Sequence, residues 1–382
     1  MLAALLLYGY ATGSYSSRRI EQACYDSVAV RYIAANTHPD HDTLCAFRRR
    51  FLPELQSLFV QVLQIARQMK LLKLGTIALD GTKVHANASR HNALSHGRAS
   101  QLEEQLKKEV AELLRRAEQT DTAEQKAPLD IPAELARRET RLSAIVAAKA
   151  EIERRAAERL ARAQKAKDTG KRPGGKPPEP PTGGVKPTDQ VNLTDPQSRI
   201  MPRSGGGGFD QSYNAQAAVD TDSMLIVATR LIDTPADARQ VAPMLEQLQR
   251  LPEELGSPQT LLADAGFYSA ANVQHCQAAG IEALLARRRD QHYLPWYERL
   301  TEPVPIPETA DATERMLHRL KSPEGRALYG LRKQTVEPVF GIIKHAMRFR
   351  QFLLRGKAKV SGEWQLVSLA YNLKRMASLA AA

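Results

Sequence analysis

The chain is poor in the residues that staple a fold or anchor it in a bilayer. Three cysteines occur in 382 residues: Cys24, Cys45 and Cys276. They are odd in number, far apart and never spaced Cys-x-x-Cys. That excludes a disulfide framework and a cysteine zinc site, and it suits a reducing cytoplasm. No stretch reaches the roughly 18–20 consecutive apolar residues of a membrane span. The opening run MLAALLLYGY imitates a signal-peptide core, but it has no basic leader and no cleavage site before Arg18 and Arg19. It reads as a buried helix that begins abruptly, as if upstream sequence were missing. The glycine cluster at 204–208 has no following lysine and no strand–helix frame, which excludes a nucleotide loop. Acid is also scarce relative to base. Net charge is +12 and the pI about 9.6, a balance that favours a polyanionic partner or an acidic membrane surface.

What is present changes character along the chain. Residues 1–72 read as helical, with Leu55, Leu58, Val62 and Ile65 at helical spacing and a break at His38-Pro39-Asp40. The triplet Arg48, Arg49, Arg50 could hold DNA or be a solvated face. Residues 74–88 alternate as a strand, and Asp80-Gly81 offers a hairpin turn. From 99 to 168 two apolar seams appear. Leu102, Leu106, Val110 and Leu113 form one; Leu135, Leu142, Ile145, Ala148, Ile152 and Ala156 form the other. With Pro128 and Pro132 between them, they predict an antiparallel helical hairpin over 99–167. Residues 168–189, DTGKRPGGKPPEPPTGGVKPTD, read as a disordered linker. Beyond it, YNAQAAVD and MLIVATRLID predict a β-hairpin. Then come a helix over 236–250, a strand over 260–264, a helix over 270–279 and a strand over 281–286. Residues 287–320 are mixed, and helices follow to the end. The expected organisation is an N-terminal helical region (1–72), a mixed α/β core (73–98 with 190–382) and the inserted hairpin between.

Two apolar, strand-like runs end on lone acids. GTIALDGT ends on Asp80 and LLADAGFYS on Asp264. A third acid, Glu337, lies in QTVEPVFGIIKHAMRFRQF. From Lys321 to Arg375 there are 12 Lys/Arg against 3 Asp/Glu, so Glu337 stands among cations. Converging carboxylates suit hard ions such as Mg²⁺ or Mn²⁺, and a pair of such ions clamps the attacking and leaving oxygens of a phosphodiester. Lys344, Arg348 and Arg350 can then hold the nucleic-acid backbone, which gives affinity and register but no sequence reading. Each acid has a plainer reading: Asp80 as a turn residue, Asp264 as a helix cap, Glu337 as an acid near a helix start. Pro338 requires a helix through Glu337 to kink or begin there. His85, His91 and His96 cluster without zinc spacing. Asp195 and Arg199 could organise a site entrance or form a loop salt bridge. Trp364 and Tyr371 sit at core spacing.

These residues resemble the DDE transposases of bacterial insertion sequences, within the insertion-sequence-five-like superfamily and its eleven-eighty-two-like group. The stretches that carry the resemblance are LLLYGYATGSYSSRRIEQAC, ANTHPDHDTLCAFRRRFLPEL, ALDGTKVHANASRH, NLTDPQSRIMP, SYNAQAAVD, LLADAGFYS, VEPVFGIIKHAMRFRQFLLRG and WQLVSLAYNLKRM. They run in order through nearly the whole chain. The resemblance implies a ribonuclease-H-like core whose acidic triad, Asp80, Asp264 and Glu337, binds two Mg²⁺ or Mn²⁺ ions. It implies double-stranded DNA as partner, both element ends and target, and a homo-oligomer when DNA is bound. The family's glutamate region also carries a tyrosine, a basic residue and a lysine. Lys344 stands seven positions after Glu337, as that signature expects. Tyr329 and Arg332 share the expected mutual spacing, while Lys333 has the expected distance to Glu337. The chain's start inside LLLYGY implies a truncated N-terminal DNA-recognising region. Readings of other classes are a truncated protein that binds DNA without cutting it, and a coiled-coil interaction protein built on 99–168. The second explains neither the strand-end aspartates nor the basic C-terminal region.

Overall fold

The computed structural model describes residues 1–121, 130–168, 184–203, 206–287, 303, 305–307 and 309–381. Most of the expected linker at 168–189 lies outside these residues, as do Pro128, Ser204 and Gly205. Helices α1 (Leu2–Thr12), α2 (Ser17–Asp26), α3 (Val28–Ile33), α4 (His41–Arg50) and α5 (Leu52–Gln68) precede strand β1 (Thr76–His85). Strand β2 (Ala93–Ser95), helices α6 (His96–Asp121) and α7 (Ile131–Asp168) and strand β3 (Gln190–Asn192) follow. Then come β4 (Arg199–Pro202), β5 (Phe209–Asp220), β6 (Ile226–Ile232), α8 (Val241–Gln249), β7 (Thr260–Ala263), α9 (Ala270–Ala278) and β8 (Glu282–Leu285). The chain continues with α10 (Ala312–Lys321), α11 (Pro323–Gly341), a π-helical turn (Ile342–Ala346) and α12 (Lys357–Ala380).

Two compact units result: residues 1–86 with 201–382, and residues 87–200. The segments 87–98 and 190–200 thus group with the helical hairpin.

In the first unit the sheet runs β4-β5-β1-β7-β8, with β6 also paired to β5. Strand β1 is antiparallel to β5 and parallel to β7, and β7 is parallel to β8. The central strands read as continuous apolar runs because both their faces are covered. Ile77, Ala78 and Leu79 of β1 and Leu261, Leu262 and Ala263 of β7 are fully buried. No turn forms at Asp80-Gly81; β1 passes straight through it, with Asp80 opposite Ala217 and Gly81 opposite Gln216.

Helix α12 supplies a large part of the core. Trp364 and Tyr371 are buried, and the Trp364 indole N–H donates to the Gln216 carbonyl at 3.1 Å. Asn372 closes the backbone of Ile226, donating to its carbonyl (2.7 Å) and accepting from its N–H (2.9 Å). A buried sheet edge needs such a partner. The opening apolar run is indeed helix α1, with Leu5, Leu6 and Tyr10 buried. Helix α10 occupies part of the stretch that sequence left mixed. Its start is a capping box, Asp311 with Glu314, a signature present in the sequence as D-x-x-E. Among the described residues no helix is long and apolar enough to cross a membrane.

In the second unit α6 and α7 pack antiparallel. Leu106 and Ile145 share one cluster with Leu94 and Ala99. Ion pairs Glu103–Lys149 (3.1 Å) and Glu109–Arg138 (2.9 Å) flank the seam.

Candidate active site

Strand β1 delivers Asp80 at the end of its buried apolar stretch. Across the parallel pair Leu79 lies beside Ala263, so Asp264, the next residue after β7, comes level with Asp80. Asp264 caps a short turn, accepting the Gly266 N–H at 2.8 Å. Asp80 accepts the Gly81 N–H at 2.7 Å. Glu337 lies on α11, which runs through Pro338 instead of beginning there. Its link to Asp80 is Arg332. This guanidinium is buried and reaches Asp80 Oδ2 at 3.4 Å and Glu337 Oε1 at 3.5 Å. The three acids therefore gather along one path, Asp264 to Asp80 to Arg332 to Glu337. Arg332, a candidate for the DNA backbone, pairs with both carboxylates in this structure.

A fourth acid escaped sequence reading. Asp237, in the loop between β6 and α8, accepts two side-chain amides on Oδ1, from Asn214 (2.8 Å) and Gln216 (2.7 Å). A methyl built on Gly266 would lie 3.0 Å from Asp264 Oδ1 and 3.7 Å from Asp237 Oδ2, so these two carboxylates flank one point. The signal was available in SYNAQAAVD. Asn214 and Gln216 are buried amides on one face of a strand otherwise closed to solvent, and buried amides require partners.

Gly81 makes this arrangement possible. A Cβ there would sit 2.0 Å from Gln216 Nε2 and 2.7 Å from Asn214 Oδ1. Its role is close approach to the neighbouring strand, not a turn. Gly81→Ala is expected to push Gln216 off Asp237 and lower the thermal midpoint. A midpoint equal to the parent's would show that the amides are not held as described.

Charge is poorly balanced at the site. Burial pushes the Asp80 carboxyl up to about 7. The Gly81 N–H and Arg332 oppose that rise, while the carboxylates of Asp264 and Asp237 add to it. Asp237 is raised by burial, against the pull of its two amides and with a contribution from Asp264. Lys344 is lowered by burial first and by Lys83 second.

The remaining basic candidates divide. Lys344 Nζ donates to the Lys83 carbonyl at 2.9 Å, and Arg350 Nε donates to the Lys344 carbonyl at 3.2 Å. Both line a groove beside β1. Lys333 and Arg348 are exposed, and Tyr329 is half-buried on α11. Arg48 is no DNA ligand in this structure. It is buried, donates to the Tyr10 hydroxyl at 3.1 Å, and belongs to the core. Arg49 and Arg50 are exposed. His85 faces Asp210 at 3.6 Å and His96 pairs with Glu153 at 3.2 Å. Asp195 is buried in its own loop, accepting the Gln197 N–H.

Residues 186–373 match the family model described as Transposase DDE domain, and residues 1–50 match the one described as Transposase domain (DUF772). The chain belongs to the DDE transposases of insertion sequences. No curated protein and no solved structure matched it. Asp264 and Glu337 of this transposase fall inside the first match; Asp80 falls between the two. The family acts on DNA in transposition and generally uses divalent metal ions. Among the described residues of the transposase, no three His, Cys, Asp or Glu side chains stand close enough to hold one ion. The donor chemistry nevertheless fits. The acids are hard oxygen donors, and the charge of Asp264 raises the proton affinity of both Asp80 and Asp237, a repulsion that a shared cation would relieve. Gln216, fully buried beside Asp237, carries a side-chain oxygen with no partner.

Proposed function

We propose that this transposase cuts phosphodiesters at the ends of its element and joins the freed 3′-hydroxyl to target DNA, with Asp80, Asp264 and Glu337 holding two Mg²⁺ or Mn²⁺ ions. The observation that carries the reading is the placement of Asp80 and Asp264 at the same level of two paired parallel strands, with Glu337 tied to Asp80 through Arg332. Bound divalent ions would supply an activated water and charge stabilisation at the leaving oxygen. The protein's own part is placement. The two strands fix Asp80 and Asp264, and Asn214 and Gln216 hold the Asp237 carboxylate beside Asp264 as a further oxygen donor. Arg332 keeps Glu337 within reach of the strand acids and has a phosphate oxygen as its natural alternative partner. Lys344 and Arg350 take the DNA backbone, with Lys333, Arg348 and Tyr329 as further candidates of the same basic stretch of sequence.

The strand order supports a ribonuclease-H-like core. A central β1 is flanked by an antiparallel pair, β5 and β6, on one side and two parallel strands, β7 and β8, on the other. Residues 99–167 are read as an insertion into that core. Bringing two element ends together requires at least two copies of the chain.

The test is cleavage of supercoiled plasmid carrying the element's flanking DNA by purified protein. Nicking with Mn²⁺ or Mg²⁺, none with EDTA, and a loss of at least a hundredfold in Glu337→Gln are expected. Nicking that survives chelation, or full activity in Glu337→Gln, would reject the assignment. DNA binding without any nicking would favour the second reading, a protein that occupies DNA without cutting. That reading has its own support in Arg332, whose guanidinium stands between Asp80 and Glu337.

A further inference from the structure

Two of the site's acids have a counter-ion and two do not. Arg332 pairs with Asp80 and Glu337, and among the described residues no basic side chain pairs with Asp264 or Asp237. Lys83 bears on Asp237 through its charge alone. The uncompensated pair is nevertheless held in place. Asp237 lies in the loop between β6 and α8, Asp264 in the turn after β7, and one buried side chain ties these two segments together. Asn272, on α9, donates its amide to the Ala238 carbonyl at 2.7 Å and to the Phe267 carbonyl at 2.6 Å. Each carboxylate is also oriented. Asn214 and Gln216 both donate to Asp237 Oδ1, so Oδ2 is the oxygen left for a ligand. The Gly266 N–H fixes Asp264 Oδ1. Gly266 keeps the space between them open and is itself exposed to solvent. The Cβ of any other residue would enter that space, 3.0 Å from Asp264 Oδ1 and 3.7 Å from Asp237 Oδ2. The Gln216 amide that holds Asp237 also carries a fully buried oxygen with no partner among the described residues. Two carboxylates fixed at one opening repel each other unless a cation lies between them.

We infer that Asp237 and Asp264 are the protein ligands of a divalent ion that binds before DNA does and without Glu337. The inference deepens the metal-dependent reaction proposed above and rests on it for the ion's purpose. It adds a fourth acid to the metal site and an order in which the site fills. Hard ions of the Mg²⁺ and Mn²⁺ class keep several waters and are commonly held by one or two carboxylates, so a seat of two acids suffices. Asp80 is near enough for the charges of both to act on it, and its own negative charge strengthens the same seat. Glu337 is half-exposed and paired with Arg332, and the first ion does not call on it. Asn272, Asn214 and Gln216 are positioning residues, which act on the ion through the acids they hold.

The test is Mn²⁺ binding to the full-length protein without DNA, read as loss of the free-ion signal in electron paramagnetic resonance. The parent and Glu337→Gln are each expected to bind an ion, with affinities within about threefold of one another. Asp237→Asn and Gly266→Ala should each weaken binding about tenfold or more, the first by removing a ligand and the second by filling the opening, with circular dichroism unchanged. Should Asp237→Asn fail to fold, Gly266→Ala carries the test. Parent-like binding in the folded variants would overturn the seat. A loss in Glu337→Gln equal to that in Asp237→Asn would also overturn it, by placing the ion on the triad. A parent that binds no Mn²⁺ until DNA is added would overturn the order of filling and the inference with it. None of these results decides the reaction, which stands or falls by the plasmid assay. Absence of nicking in a protein that binds Mn²⁺ through Asp237 would strike the proposed reaction and leave the seat standing.

Discussion

Asp80→Asn is expected to abolish divalent-metal-dependent nicking, by a factor of at least a thousand, and at the same time to raise the thermal midpoint of the metal-free protein at pH 8. Both effects come from one environment. Asp80 is largely enclosed, and burial together with neighbouring acids pushes its carboxyl up to about 7. In the unfolded chain it titrates near 3.8. Between those values the folded protein binds a proton that the unfolded chain does not. Stability therefore falls as pH rises from about 4 through 7, and above 7 the full penalty of a buried charge is present. An amide carries no such charge. The parent's midpoint in EDTA should decline over that pH window, whereas Asp80→Asn should flatten the decline. Adding Mg²⁺ at pH 8 should stabilise the parent, since a ligand that binds only the folded state raises its stability by mass action. The variant should respond weakly or not at all. A variant that nicks DNA normally, or whose midpoint shows the parent's pH and Mg²⁺ dependence, would remove Asp80 from the role given to it.

Glu363→Ala should produce a large loss of stability, and it touches no acid of the active site. Glu363 is fully buried on α12. Its carboxylate accepts the backbone N–H groups of Leu353 (3.1 Å) and Leu354 (3.0 Å). Tyr10 and Arg48, from α1 and α4, complete its surroundings, and Arg48 donates to the Tyr10 hydroxyl. Burial raises the carboxyl's pKa, while the two N–H groups, Arg48 and Tyr10 lower it. Truncation leaves the Leu353 and Leu354 N–H groups without their acceptor and takes a negative charge from beside the buried Arg48, a loss of about 3–5 kcal/mol for breaking one partner of a buried charged network. Urea unfolding measures it directly. Glu363→Gln keeps an acceptor and should lose roughly half as much. An alanine variant within about 0.5 kcal/mol of the parent would show that the network contributes little.

Much of the fold was legible because periodicity reports burial. The runs before Asp80 and Asp264 read as buried strands, the hairpin of β5 and β6 and helix α9 appeared at nearly their observed bounds, and α8 starts at Val241, five residues after its expected start. What failed was whatever depends on distant chain segments. Asp80-Gly81 has the composition of a turn, but the space its glycine leaves is filled by Gln216, which lies 135 positions away. Arg48 looked like one of three equivalent surface cations, and only the placement of Tyr10 and Glu363 makes it a core residue. Asp237 carries no local motif at all; its significance comes from two amides on another strand. Pro338 was expected to kink a helix through Glu337 or to mark its start, and α11 does not start there but continues across it. The resemblance to transposases supplied the three acids together, and single-residue patterns alone left each with a plausible mundane role.

The order of the strands along the chain has a consequence for biosynthesis. The strand bearing Asp80 is completed at His85, but β5, its first long neighbour, begins only at Phe209. At a translation rate of about 5–20 residues per second, the middle of the sheet emerges and then waits roughly 6–25 s for a lateral partner. Meanwhile the intervening helices, which need only each other, can assemble. For that interval an apolar ribbon with open edges is exposed to the cell, and its protection by chaperones or by the preceding helices sets how many chains reach the DNA-competent form.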